Sequence, residues 1–242
     1  MACDVDILLD PSLRPVIAHR GASGSCPENT ILALDRALQD GADALEFDVR
    51  VTADGVPVVI HDPTVDRTTN GVGQVRALTV AQLERLDAGQ GEPVPRLDAV
   101  MERFAEAVML IEIKDPAAST AVLDLVRRHG AERRVLVGSF RWRALRPFAR
   151  AEIPTTAARG GVAGAFLASR VGVVWPTRAA AYAVPERRSV VQVVDERFVR
   201  AARTAGRPVH VWTVNHPDDA RRLRNLGVSG IITDFPGQMR NL

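Results

Sequence analysis

The chain of 242 residues is nearly without lysine: among 31 basic side chains, Lys114 is the only amine and all the others are arginine. Two readings of that lone lysine are open. Either chance has left it there, or its position needs a compact ammonium that a planar guanidinium cannot replace. Charge of one sign is also lacking, since the formal net charge is only +2. The arginines are scattered through mixed-sign stretches such as DDARRLRNLG, with neither a basic run nor interleaved aromatics, which excludes a nucleic-acid surface. Cysteine is limited to Cys3 and Cys26. One of them lies in the N-terminal tail, so reduced thiols are expected, as in a cytoplasmic protein. Long apolar runs are missing too. The opening MACDVDILLDPSLRP is acidic, and its apolar run is too short for a secretion signal or a membrane span, so no stable membrane insertion is expected.

What remains is the composition of a globular chain, 46% hydrophobic and 25% charged, able to bury a sizeable core. Short β-rich runs alternate with helical patterns from end to end, the signature of a βα repeat. PVIAHRG, ALEFDV, MLIEIKD, VLVGSF, PTTAAR, VVQVVD, PVHVWTVN and GIITDFP make eight strands, the number that closes a (β/α)8 TIM barrel at this length. An open doubly wound sheet is the alternative. Against it, the glycine-rich turn HRGASGSCPEN lacks the acidic ribose contact of a dinucleotide fold. No linker divides the chain, so residues 14–242 read as one domain. Helix starts at Asn29 and at Asn215 or His216 with Pro217, and glycines at 41, 130 and 227 just past helix ends, fit the repeat.

The run VPVVIHD follows the second strand too closely for a parallel crossover and must return as a hairpin. With Asp54 and Gly55 at the centre of a two-residue turn, Asp48 lies opposite His61. Glu46 and Asp48 share one face by the strand period of two, and His61 would join them. Residues 63–97 break the repeat and are rich in Thr and Gly. They read as a small insertion over the rim of the barrel.

The mouth of such a barrel, at the C-terminal ends of the strands, carries the chemistry. Glu46, Asp48 and Glu112 would set three carboxylates there. They either pair with Arg20, Arg50 and Lys114 or hold a hard divalent cation, Mg2+ or Ca2+. His19 and His61 form a candidate general acid and base, because imidazole exchanges protons near neutrality. Arg20 and Lys114 suit a phosphate, and Trp212 offers a flat wall to a polyol or apolar group. His129, His210 and His216 read as a helix end, a packed side chain and a helix start, and Cys26 as a bystander.

In this order, AHRGASGSCPENT, ALEFDVRVTADGVPVVIHDPTVDRTTNG, LIEIK, VWTVN and GIITDFPG resemble the glycerophosphodiester phosphodiesterase family, over almost the whole chain. The resemblance implies a TIM barrel with a divalent metal that hydrolyses a small-molecule glycerophosphodiester to an alcohol and glycerol 3-phosphate. The family's catalytic histidines fall on His19 and His61, its metal ligands on Glu46, Asp48 and Glu112, and its phosphate contacts on Arg20 and Lys114. Glu28 lies in the family's PENT motif, and Trp212 matches its glycerol wall. Two rivals stand beside this: a phospholipase D-like enzyme acting on lysophospholipids, and a barrel that only binds phosphorylated polyols. The first wants an apolar lip, which the sequence does not display. The second has no use for a histidine couple.

Overall fold

A computed structural model describes residues 4–240. Ten strands are formed: β1 Val16–His19, β2 Ala44–Val51, β3 Pro57–Val59, β4 Met109–Ile113, β5 Val135–Gly138, β6 Tyr182–Pro185, β7 Arg187–Arg188, β8 Val191–Gln192, β9 Val209–Trp212 and β10 Gly230–Thr233. Parallel pairing runs β5-β4-β2-β1-β10-β9-β6. The gap between β5 and β6 is bridged by the extended segment around Thr155 and Thr156, which pairs with Val137 on one side and Ala181 on the other. That segment is the eighth stave, and the chain is a (β/α)8 TIM barrel.

The helices are α1 Asp6–Leu9, α2 Ile31–Gln39, α3 Val80–Leu83, α4 Leu97–Arg103, α5 Ser119–Arg128, α6 Trp142–Arg150, α7 Arg159–Arg170, α8 Glu196–Thr204, α9 Pro217–Asn225 and α10 Pro236–Met239. Their ends follow local chemistry. Thr30, one residue beyond the expected Asn29, caps α2 by accepting the Ala33 N–H at 3.1 Å. Asp195 caps α8 through the Phe198 N–H, and Pro217 occupies the first turn of α9, where its missing N–H leaves no helical bond unmade.

Alternation along the staves separates two environments. Leu45, Phe47, Val49, Met109, Ile111 and Ile113 point outward and pack against the helices. Ile17, Ala44, Leu110, Leu136, Ala181 and Ile232 fill the barrel interior, and Leu8 of α1 is packed with them. His210, fully buried, donates its Nε2–H to the Leu8 carbonyl at 2.9 Å and so ties α1 to the barrel. The lower interior is thus sealed with hydrocarbon. Polar groups on the inward face collect at the other end.

The structure revises three local expectations. VVQVVD is not a stave: its Val191–Gln192 forms one arm of the small β7–β8 hairpin, and Tyr182–Pro185 takes the stave's place. Tyr182 and Val184 alternate outward into the core, whereas Val190 is exposed, so burial selects the earlier run. α7, twelve residues long, occupies a stretch without a distinctive pattern. The hairpin after β2 is shifted by one residue, pairing Val49 with Val59 and Val51 with Pro57. Its loop has three residues, closed by the Thr52 N–H to Val56 carbonyl bond, with Gly55 in the left-handed region at φ 81°. Cys26 is a free, half-buried thiol, and Cys3 lies outside the described residues.

Candidate active site

Inward positions at the ends of β1, β2 and β4 converge on one cavity of about 140 Å³, lined by His19, Arg20, Glu46, His61, Glu112 and Lys114 among others. Parallel pairing sets Asp48 beside Glu112 and His19 beside Glu46. Carboxylate oxygens of Glu46, Asp48 and Glu112 lie within 4.8 Å of one another. Lys114 bridges two of these acids, with Nζ 2.8 Å from Asp48 and 2.8 Å from Glu112. Arg20 Nε lies 3.1 Å from Asp48. The ion-pairing alternative therefore holds for Asp48 and Glu112 but not for Arg50, whose Nε donates to the His61 carbonyl instead.

Glu46 is the acid left over. Among the described residues it accepts only the Arg20 backbone N–H, at 2.9 Å, and no arginine or lysine is in ion-pair contact with it. Burial, then the charge of Asp48, pushes its carboxyl up to about 8. Asp48 is equally buried, yet Lys114 and Arg20 outweigh the burial and hold it below the usual carboxylate range. An all-carboxylate donor set with one member uncompensated fits a hard divalent cation, which binds oxygen and removes the mutual repulsion.

Both histidines line this cavity, each with Nδ1 held by a carboxylate. His19 Nδ1 lies 2.6 Å from Asp234, and His61 Nδ1 lies 2.6 Å from Asp62. The Nε2 atoms are thereby left for chemistry. Burial works against charge on His19, but Asp234 and Glu46 prevail and raise its pKa. Behind the histidines the network continues: Asp234 also accepts from Ser23 and Asn215, and Asp62 accepts from Arg67. Asp62, Asp234, Asn215 and Arg67 are supporting groups that the sequence did not single out as such. The HD pair offered a signal for Asp62, whereas TDF holds no histidine and offered none for Asp234.

His61 reaches the acids by a route other than the expected one. In the observed register Ile60, not His61, faces Asp48, its N–H donating to the Asp48 carbonyl at 2.9 Å. Continued as a strand, His61 would point to the opposite face. β3 ends at Val59, and a bend over residues 61–63 turns the imidazole back to the cavity.

The loop after β1 is held under strain. Arg20 and Asn29 have φ of 57° and 60°, unfavourable for arginine in particular. The Asn29 amide accepts from the Asp48 N–H and donates to its carboxylate at 3.1 Å, so both strained residues grip the same acid. Glu28 does not line the cavity. It stands behind Arg20 at 2.9 Å and takes two bonds from Arg67, each of 2.8 Å.

Trp212 and Phe140, in edge contact with centroids 5.9 Å apart, form one wall of the site. Beyond that wall lies a second cavity of about 510 Å³. Its apolar lining corrects the expectation that no apolar lip exists. The lining residues come from α7, from residues 183–193 and from Phe140, Ala157 and Trp212, separate stretches of the chain, so no single apolar run announces it.

Comparison with known proteins places these features in a family. The glycerophosphoryl diester phosphodiesterase family matches residues 19–238. A glycerophosphodiester phosphodiesterase of Caldanaerobacter subterraneus is 36% identical, covering 94% of this chain and 96% of its own. The crystal structure of a glycerophosphodiester phosphodiesterase from Agrobacterium tumefaciens is 32% identical with a TM-score of 0.79, covering 95% of this chain and 100% of its own. A phosphodiesterase of Oleispira antarctica, solved with the product sn-glycerol-3-phosphate, is 27% identical with a TM-score of 0.79, covering 95% and 96%.

Proposed function

The chain belongs to the glycerophosphoryl diester phosphodiesterase family, and from that membership we propose that it hydrolyses glycerophosphodiesters to an alcohol and glycerol 3-phosphate. The observation that carries this is the meeting of two carboxylate-held imidazoles and three acids in one cavity. Residues 14–242 act as one domain, with residues 63–97 contributing Arg67 to the rim network.

Glu46, Asp48 and Glu112 would hold Mg2+ or Ca2+. The ion would supply positive charge for the phosphoryl oxygens as negative charge develops on them. Arg20 presents its guanidinium to the phosphate, and Lys114 adds a point charge beside it. Asp234 and Asp62 each accept an Nδ1–H, fixing the tautomer so that Nε2 is the working atom of each ring. In the reaction a phosphorus–oxygen bond forms to the entering oxygen while that to the leaving alcohol breaks. One imidazole takes the proton of the entering hydroxyl, and the other gives a proton to the departing alkoxide. Trp212 closes the side of the cavity against the organic part of the substrate.

The test is release of glycerol 3-phosphate from soluble glycerophosphodiesters before and after exhaustive chelation. Loss on chelation and recovery with Mg2+ or Ca2+ is expected. Release that persists without any divalent cation would overturn the assignment of the acids.

A further inference from the structure

The second cavity shares Phe140, Ala157, Ala183 and Trp212 with the catalytic one, so the two are adjoining compartments with common walls. Their characters differ. The catalytic compartment is small and charged. The other, at about 510 Å³, falls in the size range of organic-ligand pockets, ~300–1,000 Å³. Val162, Phe166, Val184, Pro185 and Val193 furnish its apolar surface. No acidic residue lines it, whereas Arg159, Arg187 and Arg188 do, and among the described residues none of these three is paired with a carboxylate. Arg159 lies over the Phe140 ring at 4.8 Å, and Arg187 donates to Gln192. Val190, 93% exposed, stands at the tip of the β7–β8 hairpin on the same rim.

We propose that this compartment binds the leaving alcohol, and that the preferred substrates are glycerophosphodiesters whose alcohol is an uncharged apolar chain. The proposal rests on the phosphodiesterase reading above. A chain lying along the Phe140–Trp212 wall and into the second cavity removes hydrocarbon from water on both partners, while the phosphoryl group stays among Arg20, Lys114 and the acids. Three guanidinium groups without a carboxylate partner disfavour a cationic alcohol such as choline by like-charge repulsion. Hydrolysis releases the chain as a neutral alcohol, its oxygen protonated by an imidazole, and leaves glycerol 3-phosphate in the charged compartment.

The experiment compares kcat/KM for glycerol 3-phosphate release from ethyl, hexyl and octyl glycerophosphodiesters below their aggregation limits. It also compares glycerophosphocholine with its uncharged 3,3-dimethylbutyl isostere. A fully buried methylene is worth about fourfold, so even partial burial should favour octyl over ethyl by about tenfold or more. Ala163→Trp, at an exposed helix position lining the cavity, should reduce that ratio at least several-fold. The isostere should exceed choline, and the gap should narrow in an Arg187→Ser, Arg188→Ser double variant. Equal kcat/KM along the series, a ratio unmoved by Ala163→Trp, or a preference for choline would overturn the proposal. If no diester releases glycerol 3-phosphate, the phosphodiesterase reading itself fails. Calorimetry with octyl and ethyl phosphate then decides the compartment: tighter octyl binding that Ala163→Trp abolishes supports it, and equal binding refutes it.

Discussion

His19 Nδ1 and Asp234 Oδ1 meet at 2.6 Å across the junction of the first and last staves, so closure of the barrel is what completes the histidine's environment. Although burial opposes its charge, bonds from His19, Asn215 and Ser23 bring Asp234 down to about 2. It stays ionised wherever the enzyme works. Asp234→Asn would leave the ring in place but no longer fix its tautomer. We expect kcat to fall by roughly 10- to 1,000-fold with KM little changed, and the pH profile to shift, since the carboxylate acts through the imidazole.

His61 is one-third exposed and packs no core, so His61→Ala should fold normally. Turnover of soluble glycerophosphodiesters should drop by about two to four decades, the usual worth of a general acid or base. Circular dichroism establishes the fold and single-turnover kinetics the loss. Near wild-type turnover would remove His61 from the chemistry.

Glu46 makes the metal-free protein sensitive to alkaline pH. Its folded pKa, about 8, exceeds the ordinary 4.5, so between those values the native state keeps a proton that the unfolded state has released. Stability from this group is complete below pH 4.5 and is lost as pH rises through about 8, a change on the order of 5 kcal/mol. In chelator, Glu46→Gln should flatten that decline in melting temperature. It should also weaken the stabilisation that added Mg2+ or Ca2+ confers on the wild type. A variant that declines like the wild type, or gains as much from the cation, would contradict this.

His210 acts in the opposite direction. Complete burial lowers its pKa to about 4 from 6.5. Between these values the unfolded chain binds a proton that the folded chain refuses, so stability present above pH 6.5 is lost as pH falls toward 4. The loss is on the order of 3 kcal/mol. His210→Gln should reduce the slope of melting temperature against pH in that acid range, whatever it does to stability at neutral pH. An unchanged slope would assign acid sensitivity elsewhere.

The side chains that meet in the candidate site were legible because they sit on staves whose two-residue alternation is strong. Glu46 and Asp48, or Glu112 and Lys114, could face nowhere but the interior once Phe47 and Ile113 faced the helices. The hairpin was legible only as a hairpin. An Asp-Gly pair suits both two- and three-residue loops, and a one-residue difference moved His61 to the wrong face of the ideal strand. Only the bend after Val59, a tertiary effect, restores it. The sixth stave was misplaced for a related reason. YAVP and VVQVVD have similar local propensity, and packing of Tyr182 against Phe198, with ring centroids 5.4 Å apart, favours the former. The second cavity was invisible because its walls are assembled from α7, the β6–β8 region and single residues of other stretches, which touch only in the folded chain.

Since Lys114 carries the chain's one ε-amine and its side chain is only 10% exposed between Asp48 and Glu112, amine chemistry on this protein addresses the heart of the site and the chain terminus alone. Reductive methylation with an isotopic label would therefore give a single side-chain resonance. Its shift would register the arrival of a cation or a phosphate without any background from surface lysines.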